Sequence, residues 1–137
     1  WDCGASAAFG NKNLVNSSGV VASDASSTGS ARYYAGAAEY GTDTAIFAFG
    51  YIPDAVTSLS NLVNNSGVMA ADVTGVGTAR VGMGACKYGG DKAIFAFGND
   101  WSSDVSMSNL VSNSGVVASD TSGVGTARNY MAACSFA

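Results

Sequence analysis

The stretch Ser108–Arg128, SNLVSNSGVVASDTSGVGTAR, is the unit from which the chain is built. Ser60–Arg80, SNLVNNSGVMAADVTGVGTAR, matches it at 16 of 21 positions, and Lys12–Arg32, KNLVNSSGVVASDASSTGSAR, at 14 of 21. The closing arginines fall at 32, 80 and 128, 48 residues apart each time. Asn13, Asn61 and Asn109 keep the same step, as do Gly19, Gly67 and Gly115, and Asp24, Asp72 and Asp120. Self-similarity at such a period points to a solenoid, a propeller or an array, and functional differences must then be sought where the copies diverge.

Outside this unit the period continues. TAIFAF (Thr44–Phe49) recurs as KAIFAF (Lys92–Phe97), each behind a turn, Tyr40-Gly41-Thr42-Asp43 or Tyr88-Gly89-Gly90-Asp91. Both are expected to be central strands, buried on two faces: Ala45, Phe47 and Phe49 lie on one side, Ile46 and Ala48 on the other. Tyr33–Glu39 reads as the strand before the turn. The NLV segments read as a third strand, and Val68–Ala71 and Val116–Ser119, behind Asn-Ser-Gly, as a fourth. Four short strands per 48 residues with turn residues at each corner is the anatomy of a propeller blade. The expectation is an all-β single repeat domain of about three four-stranded units: a partial repeat at 1–32, repeats at 33–80 and 81–128, and the start of a further or closing blade at 129–137. A β-solenoid-like array is the alternative. Ala8-Phe9-Gly10-Asn11 can be laid on Ala96-Phe97-Gly98-Asn99, so the first repeat reads as truncated.

The repeat resembles the kelch-type β-propeller, through the strand YGGDKAIFAFG and the arginine closing GTAR. It is similar above all to the NLVxNxGVVAxDxxGVGTAR repeats of phage tail-fibre and other virion or cell-surface proteins. Glycine pairs usual after the kelch strand are replaced here by Gly50-Tyr51 and Gly98-Asn99, and the family's later Tyr and Trp are missing. The resemblance implies a structural or adhesive role, at a virion or on the extracellular surface.

The composition narrows the function further. Charged residues make up 12% of the 137 and the formal net charge is −4, which leaves no basic face for nucleic acid and no basic patch for a membrane surface. No apolar run approaches a spanning helix. The chain opens on Trp1, from which a processed or longer parent is expected. There is no histidine, so a hydrolase triad, a zinc site and the copper site of propeller oxidases are all disfavoured. Asp100 with Asp104, and Glu39 with Asp43, are the carboxylate pairs a glycosidase could use, but solvated turn carboxylates explain them as well. GVGTAR lacks the lysine of a phosphate loop. No catalytic residue, metal or cofactor is expected, and the chain is read as a non-enzyme. Cys3, Cys86 and Cys134 are an odd count without metal-type spacing, and the equivalent pair Cys86 and Cys134, one period apart, is read as two small buried, unoxidised thiols.

The pairs Asp24/Arg32, Asp72/Arg80 and Asp120/Arg128 could ring a central channel as ligand contacts. Because every copy keeps them, as it keeps its core positions, an architectural role is expected, with Asp accepting turn amides and Arg bridging strands or blades. The copies diverge most at Tyr51–Ser58 and Asn99–Ser106. There Tyr51, Asp54, Asp100, Trp101 and Asp104 combine an aromatic ring with polar groups, as sugar-binding surfaces do. The functional expectation is a structural or adhesion module of a virion fibre or surface assembly, touching host glycans through these loops. A stand-alone lectin is the alternative, and a carbohydrate-active enzyme the least favoured. Three repeats are fewer than the four to eight blades that close a propeller, so self-association or packing against neighbouring fibre subunits is expected.

Overall fold

The computed structural model of the chain describes residues 10–135. The first nine positions, Cys3 among them, and the last two lie outside the described residues, and with them the start of the truncated first repeat. Among the described residues the fold is all-β, with four small antiparallel sheets and no helix. Strand β1 (Asn11–Lys12) pairs with β2 (Ala25–Ser26). β3 (Gly36–Tyr40), β4 (Thr44–Ala48) and β7 (Ser60–Val63) form a three-stranded sheet with β4 in the middle. Between β4 and β7 a small hairpin, β5 (Tyr51–Ile52) with β6 (Ala55–Val56), projects at one end. One period on, β8 (Gly84–Tyr88), β9 (Lys92–Ala96) and β10 (Ser108–Val111) rebuild the same sheet around β9. The register repeats too: Ala48 faces Gly36 and Ser60, and Ala96 faces Gly84 and Ser108.

The two larger sheets pack face to face. Tyr40, Ile46, Ala48 and Phe49 from the first meet Met83, Ala93, Phe95 and Val111 from the second in one buried cluster. Phe49 and Phe95 contact edge to face, with ring centroids 5.6 Å apart. A Cβ on Gly36 would sit 2.9 Å from the Phe95 ring, so the bare glycine is what lets this ring seat against β3. Truncating Phe95, which is wholly buried, to alanine would cost about 3–5 kcal/mol.

Consecutive sheets bury opposite faces here. In β4 the even-numbered Ile46 and Ala48 are buried, whereas in β9 it is the odd-numbered Ala93 and Phe95. Each central strand thus turns one of its two apolar faces to the other large sheet, and the face used alternates from one repeat to the next. The expectation of a fully buried Phe47 is corrected by this geometry: its ring points away from the second sheet and is 37% exposed, while its counterpart Phe95 is at 0%.

The expected fourth strand is also corrected. Residues 68–73 and 116–121 lie beside β7 and β10 but touch them through isolated bridges: Val63 with Met69 and Ser60 with Val73, then Val111 with Val117 and Ser108 with Thr121. Positions 60 to 63 thus face 69 to 73, one residue more, so each copy carries a bulge that interrupts the ladder. The first repeat does the same, with Lys12 facing Ala25 but Val15 facing Val21.

Candidate functional site

At the bulge a side chain stands in for the missing ladder bond. The amide of Asn61 donates to the Ala70 carbonyl (3.1 Å) and to the Asp72 carboxylate (2.8 Å). Asn109 does likewise with Ala118 (3.0 Å) and Asp120 (2.8 Å), and Asn13 with Ala22 (3.0 Å) and Asp24 (2.8 Å). The aspartate then reaches back to the preceding repeat. Asp72 accepts the Ser30 hydroxyl at 2.5 Å and its amide at 3.0 Å, and Asp120 accepts the Thr78 hydroxyl at 2.6 Å and its amide at 3.1 Å. Burial, the largest single influence on each of these two carboxyls, raises its pKa. The bonds from Ser30 and Asn61, or from Thr78 and Asn109, together with the charge of Arg32 or Arg80, outweigh it and hold the carboxyl below the usual range.

The arginines complete this seam between repeats without touching the aspartates directly. Arg80 is wholly buried, donates through Nε to the Phe97 carbonyl (2.8 Å) and through Nη2 to the Phe95 carbonyl (3.3 Å), and stacks its guanidinium 4.2 Å from the Phe49 ring centroid. Burial pushes it down to about 10, against the raising effect of Asp120, and it remains a cation at neutral pH. Arg32 donates to the Asn61 side-chain oxygen, and burial lowers its pKa too, with Asp72 opposing. Arg128 stacks on Phe97 at 4.0 Å. Of the six Asp and Arg residues singled out in the sequence, Asp72, Asp120, Arg32 and Arg80 connect consecutive repeats, whereas the contacts of Asp24 and Arg128 among the described residues stay within their own repeats.

The divergent loops gather at a different place, the end of the sheets that carries the β5–β6 hairpin. Tyr33 and Tyr51 exchange both backbone hydrogen bonds at 2.9 Å, as do Val81 and Asn99 one period later. Each exchange anchors its own loop, the Gly50 amide donates to the Arg80 carbonyl at 2.9 Å beside them, and the rings of Tyr51 and Trp101 stack with centroids 4.7 Å apart and planes at 22°. Trp101 sits at φ 79° and remains 60% exposed, so one face of its ring looks outward. Its amide bonds to the Asn99 side-chain oxygen at 2.7 Å. Asp104 receives the side-chain amides of Asn99 (2.8 Å) and Asn129 (2.7 Å). Asp100 closes its own turn, accepting from Ser102 (2.9 Å) and Ser103 (2.8 Å). Bonds from the Ser102 hydroxyl and from both backbone amides keep it below the usual carboxylate range. Asp54, at the tip of the hairpin with φ 77°, is exposed and its carboxylate accepts no hydrogen bond among the described residues.

The five expected binding residues therefore separate. Tyr51 and Trp101 form a platform, Asp54 is available, and Asp100 and Asp104 are occupied in holding the loop. Two residues near the platform were missed in the sequence reading, Tyr34 and Tyr130. Their rings meet edge to face at 6.0 Å, and both stand at positive φ, 55° and 49°. The equivalent position in the repeat between them is Gly82, at φ 62°. A tyrosine in that backbone state is strained where glycine is not. The bare Gly82 also leaves room for the Tyr130 ring, 3.1 Å from where a Cβ would stand. The signal was present as a Tyr/Gly/Tyr alternation at 34, 82 and 130, but no turn motif marked it.

The carboxylate pairs weighed for hydrolysis are placed as follows. Glu39 faces Lys87 at 3.9 Å and Asp43 accepts from Asn65 at 2.8 Å, so each carboxylate has its own partner. Among the described residues no group of His, Cys, Asp and Glu could hold a metal ion. Cys86 is half-buried and Cys134 exposed, both as free thiols lining a cleft of about 290 Å³ beside Lys87. The expectation of two buried thiols is corrected for Cys134, because residues 131–135 lie over Gly84 with one side open to solvent. A scan against protein-family models finds no match for this chain, and a search of curated proteins finds none either.

Proposed function

We propose that the chain is a non-enzymatic structural and adhesion module of a virion fibre or extracellular surface assembly, made of kelch-like propeller blades, and that its rim loops bind glycans. The observation that carries this reading is the Tyr51–Trp101 stack, an aromatic pair held rigidly by backbone pairing yet left with an outward ring face. A pyranose presents a face of C–H groups that packs on such a ring, and its hydroxyls need polar partners at the edge. Asp54 offers a carboxylate with no competing bond among the described residues, and Tyr34 and Tyr130 extend the aromatic surface. The positive φ of Trp101, Asp54, Tyr34 and Tyr130 fits a binding rim, since such strain collects where function uses it. The blade reading is supported by two equivalent sheets packed face to face that bury opposite faces of their central strands, as consecutive blades around an axis would.

The test is glycan-array binding followed by calorimetry on the wild type and on Trp101→Ala. Loss of binding with an unchanged melting temperature is expected, because an exposed side chain contributes little to stability. A wild type that binds no glycan, or a variant that binds as well as the wild type, refutes the reading.

A further inference from the structure

The seam between repeats is built twice within the described chain, and each of its two halves occurs once more without a counterpart. Asp72 takes the amide and hydroxyl of Ser30, and Asp120 those of Thr78. Asp24 stands at the same repeat position, yet among the described residues its carboxylate receives only Asn13 (2.8 Å) and Asn11 (3.4 Å) of its own repeat. Thr126 stands where Ser30 and Thr78 do, and among the described residues its amide and hydroxyl donate to no acceptor. Asn61 and Asn109 are at 0% exposure in their seams, whereas Asn13 is exposed. The apolar part of the seam shows the same division. Gly115 is approached by Tyr40 and Leu62, each 2.9 Å from where its Cβ would be, whereas its counterpart Gly19 has nothing within 4 Å. The counterparts of Tyr40 and Leu62 one period later, Tyr88 and Leu110, are 37% and 39% exposed.

We infer that the molecule docks head to tail on a second copy of itself, with Thr126, Tyr88 and Leu110 of one copy seated against Asp24 and Gly19 of the next. The occupant is identified by complementarity the chain already demonstrates. A neutral hydroxyl and amide meet a carboxylate at the spacing realised in both internal seams, and the bare glycine is met by Leu14 in one seam and by Tyr40 and Leu62 in the other. The bond to Asp24 is charge-assisted, which gives the contact direction as well as strength. A partner of another kind would have to reproduce Gly-Thr-x-Arg and an exposed tyrosine at the same separation. Because the two faces differ, the contact is heterologous: it closes into a ring where the rotation permits and otherwise extends as a filament. This inference does not rest on glycan binding, and its readout needs no glycan.

Two double variants separate the faces. Asp24→Ala with Gly19→Asn blocks one face, asparagine being tolerated at the left-handed φ of 76°, and Tyr88→Ala with Thr126→Val blocks the other. All four positions are exposed or open, so both variants should keep the wild-type circular dichroism in dilute solution. In sedimentation velocity and light scattering, the wild type should grow beyond a monomer as concentration rises. Each variant alone should associate roughly ten- to a hundredfold more weakly, as loss of a charge-assisted bond and its apolar neighbour implies. An equimolar mixture should yield a one-to-one complex of near wild-type affinity and nothing larger, since only one intact face remains on each molecule. A wild type that stays monomeric throughout overturns the inference, as do variants that assemble like the wild type or a mixture that fails to pair.

Discussion

Arg80 shows how one side chain can hold two repeats together. Its guanidinium closes two carbonyls of the second sheet while lying on Phe49 of the first. Phe49 itself stands at φ 61°, a costly state for a bulky residue that persists because its ring is fully enclosed. Arg80→Met keeps the length and apolar body of the side chain but leaves the Phe95 and Phe97 carbonyls without their donor, at about 1–3 kcal/mol for each buried acceptor. A lowered melting temperature with unchanged glycan affinity is expected; normal stability with lost binding would place Arg80 in the binding site instead. Asp72 and Asp120 carry the complementary, pH-sensitive half. Their folded pKa values are depressed, so the stability they add is fully present above the unfolded carboxyl value near 4 and is lost as pH falls through the folded value. Melting temperature measured from pH 6 down to pH 2 should drop, and the double variant Asp72→Asn/Asp120→Asn should start lower and flatten the drop. An unaltered acid slope in that variant would show that other carboxylates set it.

Within a repeat, the element most exposed to misreading is the segment after Asn-Ser-Gly. Val68–Ala71 has the β-branched and apolar composition of a strand, and local pattern alone cannot reveal that one extra residue breaks its ladder. What makes the bulge is the side chain of Asn61, which replaces a backbone donor and so serves a carbonyl the ladder would leave bare. By contrast TAIFAF and KAIFAF were legible as central strands, because each is paired on two edges and its apolar run stands out between turn residues, although only one face of each is buried. Their boundaries came within a residue, at Thr44–Ala48 and Lys92–Ala96. A bulge held by asparagine predicts unequal costs for one substitution. Asn61→Ala and Asn109→Ala, in buried seams, should each destabilise by about 1–3 kcal/mol in urea titration, from the orphaned carbonyl and the loosened aspartate. Asn13→Ala, at an exposed copy of the motif, should stay within about 0.5 kcal/mol when measured on dilute protein. Equal costs at all three sites would mean that the bond matters within the repeat and not at the seam.

At the scale of the whole molecule, the period of 48 residues is the structural fact that the sequence made plainest, and the seam chemistry is what it hid. Sequence reading matched Asp24, Asp72 and Asp120 as equivalents, yet the bonds of Asp72 and Asp120 to residues 42 positions earlier depend on how consecutive repeats pack, which no spacing within one repeat discloses. The rim was half legible for the same reason: Trp101 announced itself by divergence between copies, whereas its stacking on Tyr51 arises only when two loops of different repeats are brought to the same end.

If each repeat is stabilised chiefly by its seams, stability should behave as in a one-dimensional array, rising as seams are added. A chain in which a second copy of residues 81–128 is inserted after Arg128 gains one sheet and one complete seam without any new kind of contact. Cooperative unfolding through the seams should then raise the melting temperature and increase the denaturant dependence by roughly a third, in proportion to 48 residues added to 137. Dilute conditions keep self-association out of the measurement. Two separate transitions, or an unchanged slope, would mean that the repeats unfold independently and that the Asp, Asn and Arg of the seams connect them without coupling them.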